Sequence, residues 1–309
     1  MSVSLLALSH SPLLGINDPQ PDVASDLEKA FEEARARVAE FDPDLVIVFA
    51  PDHFNGFFYT LMSQFCIGYE AESMGDYTST AGPLTVPEEL AEELAQFVID
   101  RGVDVAISRE MLIDHGGAQP LEILLGGIDT KPVIPVFVNG VARPFAPMSR
   151  IRELGEAIGE WAKGREERVL LIASGGLSHD PPLPRWAEAT EQQKDFLLHG
   201  HPDQADRDAR EARVIAAGKM GSAAAEIIDI NPQWDRAFME DCASAEPQRF
   251  DAYTADAMDT EAGHSSHEVR TWVAAFSALA AANGGYRVDY EFYRPIPEFV
   301  AGFGLMSAR

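Results

Sequence analysis

The sequence predicts an α/β fold: a mainly parallel or mixed central sheet flanked by helices, in a single domain spanning 1–309, with a helical region in the C-terminal half. Three observations predict it. Short β-branched and aliphatic runs alternate with longer amphipathic stretches, the pattern of parallel strands joined by helices. The apolar runs are continuous instead of alternating, which suits strands buried on both faces. Of the 309 residues, 46% are hydrophobic and 24% charged, enough apolar material for a large core, and no linker divides the chain.

Val3 to Ala7 is the first apolar run and reads as a strand. Ser25 to Glu40 places Leu27, Ala30, Ala34 and Val38 at helical spacing, with Ser25 as its N-cap. Leu45 to Phe49 follows as a second strand. The segment Phe54-Asn55-Gly56-Phe57-Phe58-Tyr59 sets aromatic residues around Asn-Gly, which predicts a turn and an antiparallel addition to the sheet. Pro87 suits a first helical position before Glu88 to Arg101, with Gly102 as the stop. Val103 to Ile107, Val133 to Val138 and Val169 to Ile172 complete five core strands, although Pro135 weakens the fourth because it lacks a ladder donor. Ile151 to Lys163 reads as a helix between the last two strands. From Glu191 to Asp259 the chain is polar and alanine-rich with little strand signal, so short helices and loops are expected there.

Twenty-four basic residues against 50 acidic ones give a formal charge of −26, a surface that repels nucleic acid and anionic membranes. Only five of the basic residues are lysine, and such an acidic excess is best tolerated where salt screens it. A melting temperature that climbs steeply with KCl is therefore expected, and a flat response in a thermal melt removes the high-salt reading. Cys66 and Cys242 form no Cys-x-x-Cys pair, so neither a disulfide framework nor a thiolate metal site is indicated and a reducing cytoplasm is the expected compartment. The run Leu5 to Leu8 is too short for a signal peptide or membrane span.

His10, His53 and His179 each lie just beyond a predicted strand, and His115 follows the Val103 to Ile107 run at a slightly greater distance. In open parallel sheets, ligand sites form beyond the carboxyl ends of the strands, so these imidazoles can converge. Neutral imidazoles with one carboxylate suit iron(II), zinc or manganese and leave coordination positions open. Glu268 is a candidate carboxylate, yet Ser265 and Glu268 also have the spacing of a capping box, and the residues alone leave both readings open. Asp114 and Asp180 adjoin His115 and His179 in sequence and are candidates for supporting them. His199 and His201 lie in a polar segment and receive no role, while His264 and His267 are substitutes for a proposed ligand. Ser174-Gly175-Gly176-Leu177-Ser178 does not match a nucleophile elbow, and no Gly-x-Gly-x-x-Gly follows a strand, which disfavours a serine hydrolase or a dinucleotide enzyme.

At these residues the sequence resembles the class III extradiol dioxygenases. The resemblance runs from Leu8-Ser9-His10-Ser11-Pro12 through Phe49-Ala50-Pro51-Asp52-His53, Asp114-His115-Gly116, Gly126-Gly127 and Ser174 to His179, and on to Tyr293 to Glu298 and Gly302-Phe303-Gly304. Several motifs in one order are more specific than any one of them. The resemblance implies an iron(II) held by His10, His53 and Glu268, with His179 as base and His115 as proton donor, acting on a catechol and O2. It also implies a homo-oligomer. Because the substrate it implies carries a carboxylated side chain, a cation is expected at the pocket mouth, and Arg294, within a matching motif, is the candidate. Rival readings are a related enzyme for another catechol, a non-catalytic binding protein on the same scaffold, and a zinc hydrolase.

Overall fold

A computed structural model of the chain describes residues 3–201, 204–220 and 229–309. Its strands are β1 (Val3–Leu8), β2 (Leu45–Ala50), β3 (Phe65–Gly68), β4 (Ala71–Met74), β5 (Ala81–Pro83), β6 (Ala106–Ser108), β7 (Met111–Ile113), β8 (Val133–Val138), β9 (Val169–Ser174), β10 (Val288–Ile296) and β11 (Ala301–Ala308). Its helices are α1 (Pro21–Phe41), α2 (Glu88–Asp100), α3 (His115–Leu125), α4 (Met148–Lys163), α5 (Glu191–His199), α6 (Gln204–Met220), α7 (Pro232–Ala243), α8 (Ala255–Ala262) and α9 (Arg270–Asn283).

Eight strands form the main sheet in the order β10-β11-β1-β9-β2-β8-β3-β6. Its centre, β1-β9-β2-β8, is parallel, and the β10–β11 hairpin adds antiparallel to β1. Nearly every residue of the four central strands is buried, because helices cover both faces. One apolar cluster joins the sheet to α2, α4, α7 and α9; a second joins the opposite face to α1 and α3. A smaller sheet, β5-β4-β7, runs β4 parallel to β7. Its role is positional, since Asp76 and His115 leave the carboxyl ends of these two strands.

Register explains why separate loops meet. Leu8 of β1 pairs with Ser174 of β9, and Phe49 of β2 pairs with Ala173, so the three strands end level. The segments carrying His10, His179 and His53 therefore leave the same edge side by side.

Several expectations are corrected. Val103 to Ile107 is not a core strand: only Ala106–Ser108 is extended, at the sheet edge, and Ile107 is 51% exposed. An edge strand has one covered neighbour, so its apolar residues need not be buried. Phe54 to Tyr59 forms no strand, because the Asp52 carboxylate accepts the backbone N–H groups of Asn55, Gly56 and Phe57 at 3.0, 2.8 and 3.1 Å and curls the chain away from a ladder. The antiparallel addition is β3, which pairs with Val136 to Val138 of β8. Pro135 lies just before that pairing begins and is accommodated within β8. Ser25 lies inside α1, which starts four residues earlier with Pro21 in its first turn. The stretch Glu191 to Asp259 is helical as expected, although α6 is 17 residues long; its residues 202–203 and 221–228 lie outside the described residues.

Candidate active site

His10 follows β1 and is buried, its Nδ1 2.9 Å from Ser174 Oγ. Ser174 Oγ in turn donates to the Gly116 carbonyl at 2.6 Å, so it can only accept from His10, which fixes the proton on Nδ1 and frees the Nε2 lone pair. Burial holds the His10 ring at about 3, against the pull of Glu268, so it stays neutral as a metal ligand must. His53 follows β2, and its Nδ1 lies 2.9 Å from Asp114 Oδ2, which also accepts the His53 backbone N–H and the Asn55 amide at 2.9 Å. Nε2 is again directed into the site. Burial disfavours the charged ring of His53, but Asp114 and Glu268 outweigh it and raise its pKa well above the usual value.

Glu268 arrives from the far side, in the turn Ser266–Val269 ahead of α9. Ser265 makes no side-chain cap, so the capping-box reading fails. The carboxylate instead lies 3.1 Å from His53 Nε2, 3.0 Å from His179 Nε2, 3.5 Å from His10 Nε2 and 3.0 Å from the Gly176 N–H. Gly175 permits this approach, since a Cβ there would sit 2.5 Å from the Glu268 carbonyl oxygen. Burial opposes ionisation of Glu268, but the surrounding imidazoles keep its pKa well below the usual carboxylate value.

His115 opens α3, whose N-cap is Asp114. Asp114 does not hold His115, despite adjacency; it holds His53 and the Gly116 N–H. The partner of His115 is Asp76, which takes its backbone N–H at 2.7 Å and lies 2.6 Å from its Nδ1. His115 Nε2 is buried and, among the described residues, has no partner. His179 is fixed by the Leu177 carbonyl, 2.8 Å from Nδ1, and not by Asp180, which pairs with the backbone N–H and Nδ1 of His264. Burial works against protonation of His179, yet Glu268 and the Leu177 carbonyl raise its pKa. His267 pairs with Asp259 and takes no part in the cluster.

The structure thus brings together His10, His53, His115, His179 and Glu268 around one largely apolar pocket, whose walls include Tyr77, Leu183, Val214 and Phe299. It does not bring Arg294 there. That side chain is half exposed on β10 and paired with Asp26 at 2.5 Å, because its strand faces α1 and not the pocket. Sequence reasoning missed Asp76 and Ser174. Ser174 lies in a quoted motif but was weighed only as a nucleophile, and Asp76 carries no local signal at all.

These residues fit a cation. Asp76, Asp114 and Glu268 are buried, and among the described residues no Lys or Arg lies within salt-bridge distance of them. Metal bonds of about 2.1 Å place neighbouring donors roughly 3 Å apart, close to the 3.1 and 3.5 Å separating Glu268 from the two imidazoles. The donor nitrogens of His10, His53 and His115 also lie within 4.8 Å of one another, which makes His115 the competing third ligand.

Fold and site together give an α/β protein whose imidazoles surround a buried carboxylate, with a group of side chains that could hold a metal ion. The chain belongs to the family of catalytic LigB subunits of aromatic ring-opening dioxygenases, whose model matches residues 4–304. Two curated relatives, from Rhodococcus globerulus and Rhodococcus rhodochrous, are each 56% identical over 100% of this chain and 98% of their own length, and both are named 2,3-dihydroxyphenylpropionate/2,3-dihydroxicinnamic acid 1,2-dioxygenase. An uncharacterized protein from Escherichia coli K12 shares the fold at a TM-score of 0.54 and 14% identity, covering 98% of both chains. No helix among the described residues is long and apolar enough to cross a membrane.

Proposed function

We propose that this chain is an iron(II)-dependent extradiol dioxygenase that opens the ring of 2,3-dihydroxyphenylpropionate, and of 2,3-dihydroxycinnamate, beside the diol with both atoms of O2 entering the product. The observation that carries the reading is the grouping of two imidazoles, His10 and His53, against a buried Glu268, with His115 and His179 on the same pocket. Iron(II) held by His10, His53 and Glu268 would offer open positions to both catechol oxygens and to O2, and would pass electron density from ring to oxygen.

The chain's own groups handle the protons. His179 presents Nε2 to the pocket while Nδ1 is tied to a neutral carbonyl, which fixes orientation without adding charge. Its raised pKa depends on Glu268, and a cation on that carboxylate withdraws this support, leaving His179 able to take a catechol proton. His115 has a carboxylate behind it, so a positive ring there is compensated by Asp76, which suits a residue that gives a proton as the O–O bond breaks. Tyr77, Leu183, Val214 and Phe299 line an apolar chamber that limits water while the ring is attacked. The same reading places the enzyme in a reducing compartment, where the free, buried Cys66 and Cys242 need no partner.

Anaerobically iron-loaded protein given 2,3-dihydroxyphenylpropionate is expected to consume one O2 per substrate and form a yellow ring-fission product. Oxygen electrode and absorbance traces check this together. Catechol binding without oxygen uptake would favour a binding protein, and activity restored by zinc but not iron would favour a hydrolase.

A further inference from the structure

Of the Lys and Arg residues described, Arg210 is the one that lines the catalytic pocket. It projects from α6 and also lines a neighbouring outer chamber of about 560 Å³, the two cavities sharing Pro182, Arg210 and Val214. In a chain with 50 acidic residues most arginines find a carboxylate, yet among the described residues none lies within 4.0 Å of the Arg210 guanidinium. One nitrogen donates to the His53 carbonyl at 3.0 Å, and the Phe196 ring lies 4.9 Å from its central carbon. A guanidinium carries five N–H donors, so among the described residues most of its hydrogen-bonding edge is left over.

We infer that Arg210 binds the carboxylate of the substrate's side chain, holding the acid at the junction of the two cavities while the diol sits on the histidine cluster. The inference rests on the ring-cleavage reading above and names the group that would select its substrate. A carboxylate that leaves water for this largely apolar pocket needs a compensating cation at the entrance. The Phe196 ring steadies the guanidinium without taking up its N–H donors, which remain for the bidentate pairing that carboxylates make with arginine. The bond to the His53 carbonyl ties the cation to the residue whose imidazole lines the same pocket. Arg213 lines only the outer chamber, and Arg294 is already paired with Asp26.

The test is a ratio: kcat/KM for 2,3-dihydroxyphenylpropionate divided by that for its primary amide, measured on iron-loaded protein. Wild type should favour the acid by about 10- to 100-fold, the worth of a charged hydrogen-bonded pair. Arg210→Gln should bring the ratio close to one, mainly through KM of the acid, and Arg210→Lys should leave it intermediate. Arg294→Gln and Arg213→Gln should keep the wild-type ratio. An equal loss on both substrates in Arg210→Gln would show that the side chain only supports His53, and overturns the inference. So does a collapse of the ratio in either control. Should Arg210→Gln fold poorly, Arg210→Lys decides the matter by its intermediate or unchanged ratio, an unchanged ratio overturning the inference; on wild type, efficient cleavage without preference sinks the anchor alone, whereas cleavage of neither compound sinks the ring-cleavage reading with it.

Discussion

Replacing Glu268 with alanine is expected to strip the metal from the protein, and with it ring cleavage. The carboxylate is buried, ionised and shared among three imidazole nitrogens and a backbone N–H, so its loss removes the proposed ligand that carries the charge. His10→Ala and His53→Ala should do the same, since each removes an Nε2 directed at Glu268. Metal content after anaerobic reconstitution, measured by elemental analysis, should fall to roughly a tenth of wild type or less in all three. His115→Ala should retain near-normal content. If Glu268→Ala holds iron and His115→Ala does not, the ligands are His10, His53 and His115, the competing cluster whose donor nitrogens lie within 4.8 Å of one another.

The second large effect falls on His115 and His179, the proposed proton-transfer pair. His115→Ala and His179→Ala should keep the metal yet lose about 10²- to 10⁴-fold in kcat, the usual worth of a positioned acid or base. The two losses should differ in kind. Without His179 no imidazole accepts the diol proton, so anaerobic binding of the catechol should weaken. Without His115 binding should persist while turnover stops, a fall in kcat with little change in KM. Asp76→Asn should resemble His115→Ala in milder form, about 10- to 100-fold, because the orienting carboxylate is gone but the ring remains. A normal kcat in His115→Ala would exclude it from proton delivery.

Much of the frame was legible along the chain. The runs beginning at Val3, Leu45, Val133 and Val169 are the four central parallel strands, because burial on both faces demands continuous apolar sequence that is visible locally. Their carboxyl ends mark the ligand-binding edge of such a sheet, which is why the positions of His10, His53 and His179 are legible from sequence. His115 was noticed for a partly mistaken reason. It follows not a core strand at Val103 to Ile107 but β7 of the small sheet, and its place is set by α3 and by Asp76. Arg294 was misjudged because a motif gives no direction, and only the pairing of β10 with β11 against α1 turns that side chain to the surface.

By itself, then, the sequence determined the α/β class, the strands of the parallel core, the acidic surface and the family, because periodicity, composition and ordered motifs act over a few residues or over the whole chain. Which groups touch was decided by the tertiary structure. Asp114 supports His53 across 61 positions while its neighbour His115 takes Asp76 from 39 positions away. Glu268 reaches His53 across 215 positions only because Gly175 leaves room for its backbone. Adjacent side chains diverge and distant ones meet wherever strands end level, so hydrogen-bond partners at such an edge are a property of register and packing, not of sequence order.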